Sequence, residues 1–311
     1  MKNMRIPLII AWCVAVIGIV LGSFFDLSIS TAIASPKNYL GLTISAIGPT
    51  IGFSGVSIMG GGFIALIKKG KYHIALKVLF GVLAACCLGV SIFYPAGEYF
   101  GVNGFYGSAP KALGYVIAFF PAVGGIVGGY FLFRDYQNKN LWIVFCIIIV
   151  LLLIALLGVI PTLKDIVHRP RYRYAVRGEL VEFHNWWQPF KEYKDYISTK
   201  ENPIFIEGWE IGKDEFKSYP SGHTAEASIV LVPITFLPLA NAKFKKLQMP
   251  LFYGGCALVL IVALARILAG AHYLSDVSTG ATIMLTLLII TNEIVMRVKP
   301  LHLEEEEKDQ A

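Results

Sequence analysis

The chain has 311 residues, of which 56% are hydrophobic and only 15% charged, and its formal net charge is +6. That composition excludes a soluble globule and describes a protein that lives in a bilayer. The positive excess sits in short junctions and one cluster, so it does not imply nucleic-acid binding.

A bilayer core of roughly 30 Å is crossed by about 20 helical residues. Eight apolar runs are long enough, at residues 6–27, 41–67, 74–96, 112–133, 141–163, 222–240, 250–270 and 273–297. The predicted fold class is therefore all-α, a polytopic membrane helix bundle of about eight transmembrane helices. The first run follows Lys2 and Arg5 and ends before Ala32-Ile33-Ala34, a small-residue pattern of the signal-cleavage kind. Its length favours an uncleaved anchor over a cleaved signal. In the fourth run Gly124, Gly125, Gly128 and Gly129 form two overlapping GxxxG patterns suited to close helix packing. Cys13, Cys86, Cys87, Cys146 and Cys256 all fall inside spans at no metal-like spacing, so they suggest neither disulfides nor zinc.

Short cytoplasmic loops collect Lys and Arg. Lys2 and Arg5, then Lys68, Lys69, Lys71 and Lys77, then Arg134 and Lys139, then Lys243, Lys245 and Lys246, then Arg297 and Lys299 fall at alternate junctions. This pattern predicts a multi-pass cell-membrane protein with both ends of the chain cytoplasmic. The opposite junctions, including the one long polar stretch from Lys164 to Tyr219, then face outward. The acidic run Glu304 to Glu307 reads as a solvated cytoplasmic end.

Three features of the outward side carry chemistry. Five cationic side chains fall between Lys164 and Arg177, more than an interfacial anchor needs, and they favour a specific anion site over a belt. The segment Pro220-Ser221-Gly222-His223 opens the sixth span, where free amides and the helix dipole favour a phosphate and Gly222 allows close approach. Taken alone, that segment is equally an ordinary turn and cap beside an interfacial histidine. Arg266, His272 and Asp276 lie where the seventh span ends and the eighth begins. The four-residue spacing of His272 and Asp276 would put them on one helical face, with the carboxylate accepting from one ring nitrogen and the other left as a nucleophile. Glu226, one turn below His223, either tunes it or is packed, and packing is the stronger reading. His168 and His184 read as loop residues, and His73 and His302 as belonging to the cytoplasmic side.

With these motifs in order, the sequence resembles the type 2 phosphatidic acid phosphatase superfamily of membrane lipid phosphatases. The family pattern of Lys, six residues, Arg-Pro is met by Lys164 and Arg171, with Tyr172 in place of the proline. Its Pro-Ser-Gly-His motif is Pro220 to His223, and its third motif is met by Arg266, His272 and Asp276, with Ala265 in place of a serine. A rival register through Arg169-Pro170 would put Thr162 where the lysine belongs, and the register keeping both charges is preferred. The resemblance implies a six-helix phosphatase core at 74–300 with an outward aromatic-rich insert at 173–217. Two additional helices occupy 1–73 and an acidic tail 301–311.

It further implies a metal-independent lipid phosphatase. His272 would attack phosphorus, oriented by Asp276, and His223 would protonate the leaving oxygen. Lys164, Arg171 and Arg266, with the amides of Ser221, Gly222 and His223, would hold the phosphate oxygens. No cofactor is implied, and the partners are the bilayer and a phosphorylated lipid such as undecaprenyl diphosphate, phosphatidate, phosphatidylglycerol phosphate or diacylglycerol pyrophosphate. A phosphotransferase sharing the phosphohistidine, and a non-catalytic lipid-binding or transport protein, are the alternatives. The insert, with Phe183, Trp186, Trp187, Phe190, Tyr193, Tyr196, Phe205, Trp209, Phe216 and Tyr219, is either a lid lying over the outer leaflet or a cap with its own small core.

Overall fold

The computed structural model describes residues 2–35, 37–101, 111–136, 140–206 and 208–297. Lys139, Lys299, His302 and the acidic run Glu304 to Glu307 lie outside the described residues. Among the described residues, eight helices are long and apolar enough to cross a membrane. The molecule is a multi-pass helical bundle.

The helices are α1 (Lys2–Ile33), α2 (Tyr39–Lys69), α3 (Ile74–Gly101), α4 (Lys111–Phe133) and α5 (Leu141–Leu153). A π-helical stretch, Ile154–Val159, joins α5 to α6 (Ile160–Val167). The sixth crossing is made of α7 (Gly222–Ser228) and α8 (Leu231–Ala240), and it is followed by α9 (Lys245–Leu268) and α10 (Leu274–Arg297). Phe24, Val82, Phe120, Leu157 and Leu260 are exposed on the outside of the bundle, where lipid replaces water and such side chains carry no penalty. The interior is built on Phe53, Phe63, Phe145, Leu231, Phe236, Phe252 and Met284.

The first two helices, which the sequence places outside a six-helix core, pack into the same bundle. Helix α2 lies against α3, α4, α7 and α9, and α1 lies along α10. The glycine pattern of α4 is used on one side only. A Cβ at Gly125 or Gly129 would run into Ser54, Ser57 and Ile58 of α2, whereas Gly124 and Gly128 face open space. A helix has one face toward a given neighbour, so two GxxxG patterns offset by one residue cannot both serve the same contact.

The connection from α6 to α7 is a folded cap. Tyr174, Ala175, Phe190, Tyr193, Ile211 and Phe216 form its own small core. A two-residue hairpin pairs Phe205 with Glu210 and Ile206 with Trp209. Most of its aromatic side chains face inward, with Trp187 and Phe205 exposed. Of the two readings of the insert, the structure has the cap with its own core.

Candidate active site

The site forms where α6 ends, α7 begins and the α9–α10 turn crosses beneath the cap. Helix α6 stops at His168, which adopts a left-handed conformation (φ 47°) as its C-cap and stacks on Tyr193 at 3.7 Å. Lys164 therefore sits in the last turn, and the chain leaves in extended form through Arg171.

The five cations of this stretch separate into distinct jobs. Arg169 is fully buried, with one guanidinium nitrogen 2.5 Å from Asp276 Oδ1 and another 2.9 Å from Asp26 Oδ2. It stacks over the Tyr273 ring at 4.1 Å and faces Phe183 at 5.2 Å. Arg173 makes a two-pronged buried pair with Glu215, at 3.0 and 2.5 Å. Arg177 is exposed. Lys164 and Arg171 point to the site instead, and both face His223 electrostatically together with Arg266. Arg171 is steadied by backbone carbonyls, with its Nε donating to Asp214 O at 2.7 Å and one terminal nitrogen to Ala271 O at 3.4 Å. The Lys164–Arg171 register is thus the one that brings both charges to His223, and Arg169 is committed to carboxylates. At the two departures from the family pattern, Tyr172 packs edge-on to Tyr273 at 6.4 Å, and Ala265 is buried.

Ser221 caps α7, its side chain accepting from the Thr224 amide. Its own N–H donates to the backbone carbonyl of Asp276 at 3.0 Å. The Ser221 amide is therefore spent on joining α7 to α10 and is not available to a phosphate, a correction to the expected three-amide cradle. Gly222 and His223 occupy the first helical positions, where no intrahelical acceptor precedes them. Space beside Gly222 is bounded by Lys164 Nζ and Glu226 Oε1, each 3.4 Å from where a Cβ would stand. Glu226 is buried and accepts from Tyr94 of α3 at 2.7 Å. Helix α10 can lie this close to the Ser221 turn because Gly280 has no side chain; a Cβ there would meet Ser221 O.

His272 lies in the turn before α10, not on a shared helical face with Asp276. Gly270 makes the turn possible, with φ 62° and a virtual Cβ 2.9 Å from Arg173 Cβ. The histidine's Nδ1 is 2.6 Å from the carbonyl of Ser218, whereas Asp276 Oδ2 is 3.8 Å away, beyond hydrogen-bond length. A carbonyl only accepts, so Nδ1 carries the hydrogen and Nε2 keeps its lone pair. This corrects the direct His272–Asp276 bond expected from the spacing. Asp276 instead accepts from Ser218 Oγ at 2.5 Å and from the Tyr273 amide at 2.9 Å, fixing the segment whose carbonyl holds the imidazole. Burial holds His272 well below the ordinary histidine range; Asp276 works against this, and the charges of Arg266 and Arg171 add to it. The ring is neutral at neutral pH.

Sequence reasoning missed Ser218, Ser275, Tyr273 and Asp26. Ser218 stands two residues before the Pro-Ser-Gly-His segment, and Asp26 is the one carboxylate in the first apolar run. An acidic residue inside a span is itself a signal of an interior role. Among the described residues no group of three His, Cys, Asp or Glu side chains is placed to hold a metal ion.

Compared with known protein families, the chain matches the model of the PAP2 superfamily over residues 139–299. That interval runs from the start of α5 to beyond α10 and contains the two histidines, Asp276, Lys164, Arg171 and Arg266. No curated protein and no solved structure matches the chain.

Proposed function

This chain belongs to the PAP2 superfamily, and we propose that it is a lipid phosphatase working through a phosphohistidine. The observation that carries the reading is the tautomer of His272, which is buried with Nδ1 tied to Ser218 O while Arg266 and Arg171 face the ring. A neutral imidazole with a free Nε2 beside fixed cations is what attack on phosphorus requires.

In the proposed sequence, Lys164, Arg171 and Arg266 hold the nonbridging oxygens, helped by the amides of Gly222 and His223. Nε2 of His272 forms a bond to phosphorus as the bond from phosphorus to the lipid oxygen breaks, and His223 delivers a proton to that oxygen. Water then attacks the phosphorus as its bond to Nε2 breaks, and His223 takes a proton from that water, returning inorganic phosphate and free His272. The substrate is a phosphomonoester or diphosphate lipid, with its phosphate in the site and its chains in the bilayer. The basic junctions lie at the end of the bundle away from the site. Lys69 there donates to Tyr136 O, and Asn241 to Asp135 O. The positive-inside pattern supports a site on the outer face of a cell membrane, where a carrier lipid such as undecaprenyl diphosphate is among the candidate substrates.

The test is phosphate release from phosphatidate, phosphatidylglycerol phosphate and undecaprenyl diphosphate in detergent with a chelator. Release is expected to persist in chelator and to vanish in His272→Ala. Activity that needs a metal or survives that substitution would sink the mechanism, and transfer of phosphate to a second lipid without release would make the protein a phosphotransferase.

A further inference from the structure

Asp26 lies on α1, outside the residues matched by the family model, yet it is built into the back of the site. It is 1% exposed on a largely apolar helix, a costly place for a carboxylate unless its partners are fixed. Its Oδ2 takes Arg169 at 2.9 Å and the Ser275 hydroxyl, and its Oδ1 takes the Ser275 amide at 2.9 Å. Helix α1 comes this close because Gly22, one turn earlier, lies against Ser275, where a Cβ would be 2.5 Å from the amide nitrogen. Trp186 of the cap adds a bond to Ser23 at 3.0 Å.

The Arg169 fork therefore spans two carboxylates, one from α1 and one from α10. Planar guanidinium geometry makes such a bridge directional: with both ends held, the nitrogen aimed at Asp276 Oδ1 cannot turn to take both of its oxygens. Asp276 Oδ2 then remains for Ser218 and the Tyr273 amide, and Ser218 O remains for His272 Nδ1. We propose that Asp26 is a positioning residue for the reaction, acting through Arg169 and Ser275 on Asp276 and through Ser218 on His272. The first helix would then complete the site. This inference rests on the reading of His272 as nucleophile.

The experiment compares the full chain with Asp26→Asn, Ser275→Ala and His272→Ala, using phosphatidate in detergent micelles and orthovanadate as the transition-state mimic. A misplaced nucleophile costs rate at the bond-making step, so Asp26→Asn is expected to lower kcat by about 100-fold. Orthovanadate inhibition should weaken in parallel while KM stays nearly constant, because substrate and transition state are affected unequally. Full kcat, or a raised KM with kcat unchanged, would overturn the proposal. Should Asp26→Asn fail to fold by its melting curve, Ser275→Ala carries the test, since it removes one hydroxyl; a severalfold fall in kcat at constant KM supports the role and full kcat overturns it. Phosphate release surviving in His272→Ala would bring down the nucleophile assignment itself, whatever the Asp26 variants do.

Discussion

At the residue scale, the site rests on which groups are spent inside the protein and which are left for a ligand. Arg169 and Arg171 are two positions apart and do opposite work. Arg169→Ala would leave two buried carboxylates without their cation, and we expect a stability loss of about 3–5 kcal/mol, read as a lowered melting temperature in detergent. Arg171→Ala should leave the melting curve nearly unchanged and lower kcat/KM by about 100-fold, the scale of a lost oxyanion donor. Reversal of these phenotypes would put the other arginine at the phosphate. The depressed pKa of His272 gives a pH prediction of definite sign. A depressed base keeps its lone pair as pH falls, so the acid limb of kcat/KM assigned to this group should lie below the ordinary histidine value of about 6.5. Stability runs with the same sign: below about pH 6.5 the unfolded chain binds a proton that the folded one refuses, so folding weakens as pH drops toward the folded pKa. An acid limb above that value would contradict the burial argument.

At the scale of elements, two turns and one helix face show how far pattern alone can be trusted. The Pro-Ser-Gly-His segment does start a helix, because serine caps it and glycine leaves room above it. The spacing of His272 and Asp276, however, straddles the start of α10 at Leu274, and i,i+4 geometry does not apply to a residue still outside the helix. Ala at position 270 should cost about 1–2 kcal/mol from the left-handed backbone alone. It would also displace His272, so activity should fall further than stability, measured as residual phosphate release of the folded fraction. On α4 the two glycine patterns give a sharper contrast. Gly125→Leu or Gly129→Leu would drive a side chain into α2 and should lower the melting temperature strongly, whereas Gly124→Leu and Gly128→Leu start from a Cβ with no neighbour within 4 Å and should change it little. Equal effects on both faces would mean that α2 and α4 do not pack as described.

For the whole molecule, the proposal of an outward site makes a labelling prediction. A charged thiol reagent confined to the outside of intact cells should modify a cysteine placed at Lys200, exposed on the cap, and spare one placed at Lys243, exposed at the far end of the bundle. The reverse pattern would put the catalytic face in the cytoplasm. Much of this scale was legible from sequence. The eight crossings follow from run length because the bilayer has a fixed thickness and only a helix can satisfy its backbone there. His223, His272, Asp276, Lys164, Arg171 and Arg266 were legible as candidates because charge near hydrocarbon is expensive enough to stand out. Ser218 was not, since serines are common and its role comes from a carbonyl that any residue would supply. Nor was the use of the Ser221 amide by α10, because a backbone donor carries no sign in the sequence of where it will be spent. Composition, run length and motif order were enough for a helical membrane protein with candidate phosphate ligands gathered at one end. The contacts of the folded chain add that α1 reaches that end through Asp26, that Arg169 is spent on carboxylates, and that the Ser218 carbonyl holds Nδ1 of His272. These depend on contacts between residues up to 249 positions apart, and helical periodicity speaks only for neighbours within a turn or two.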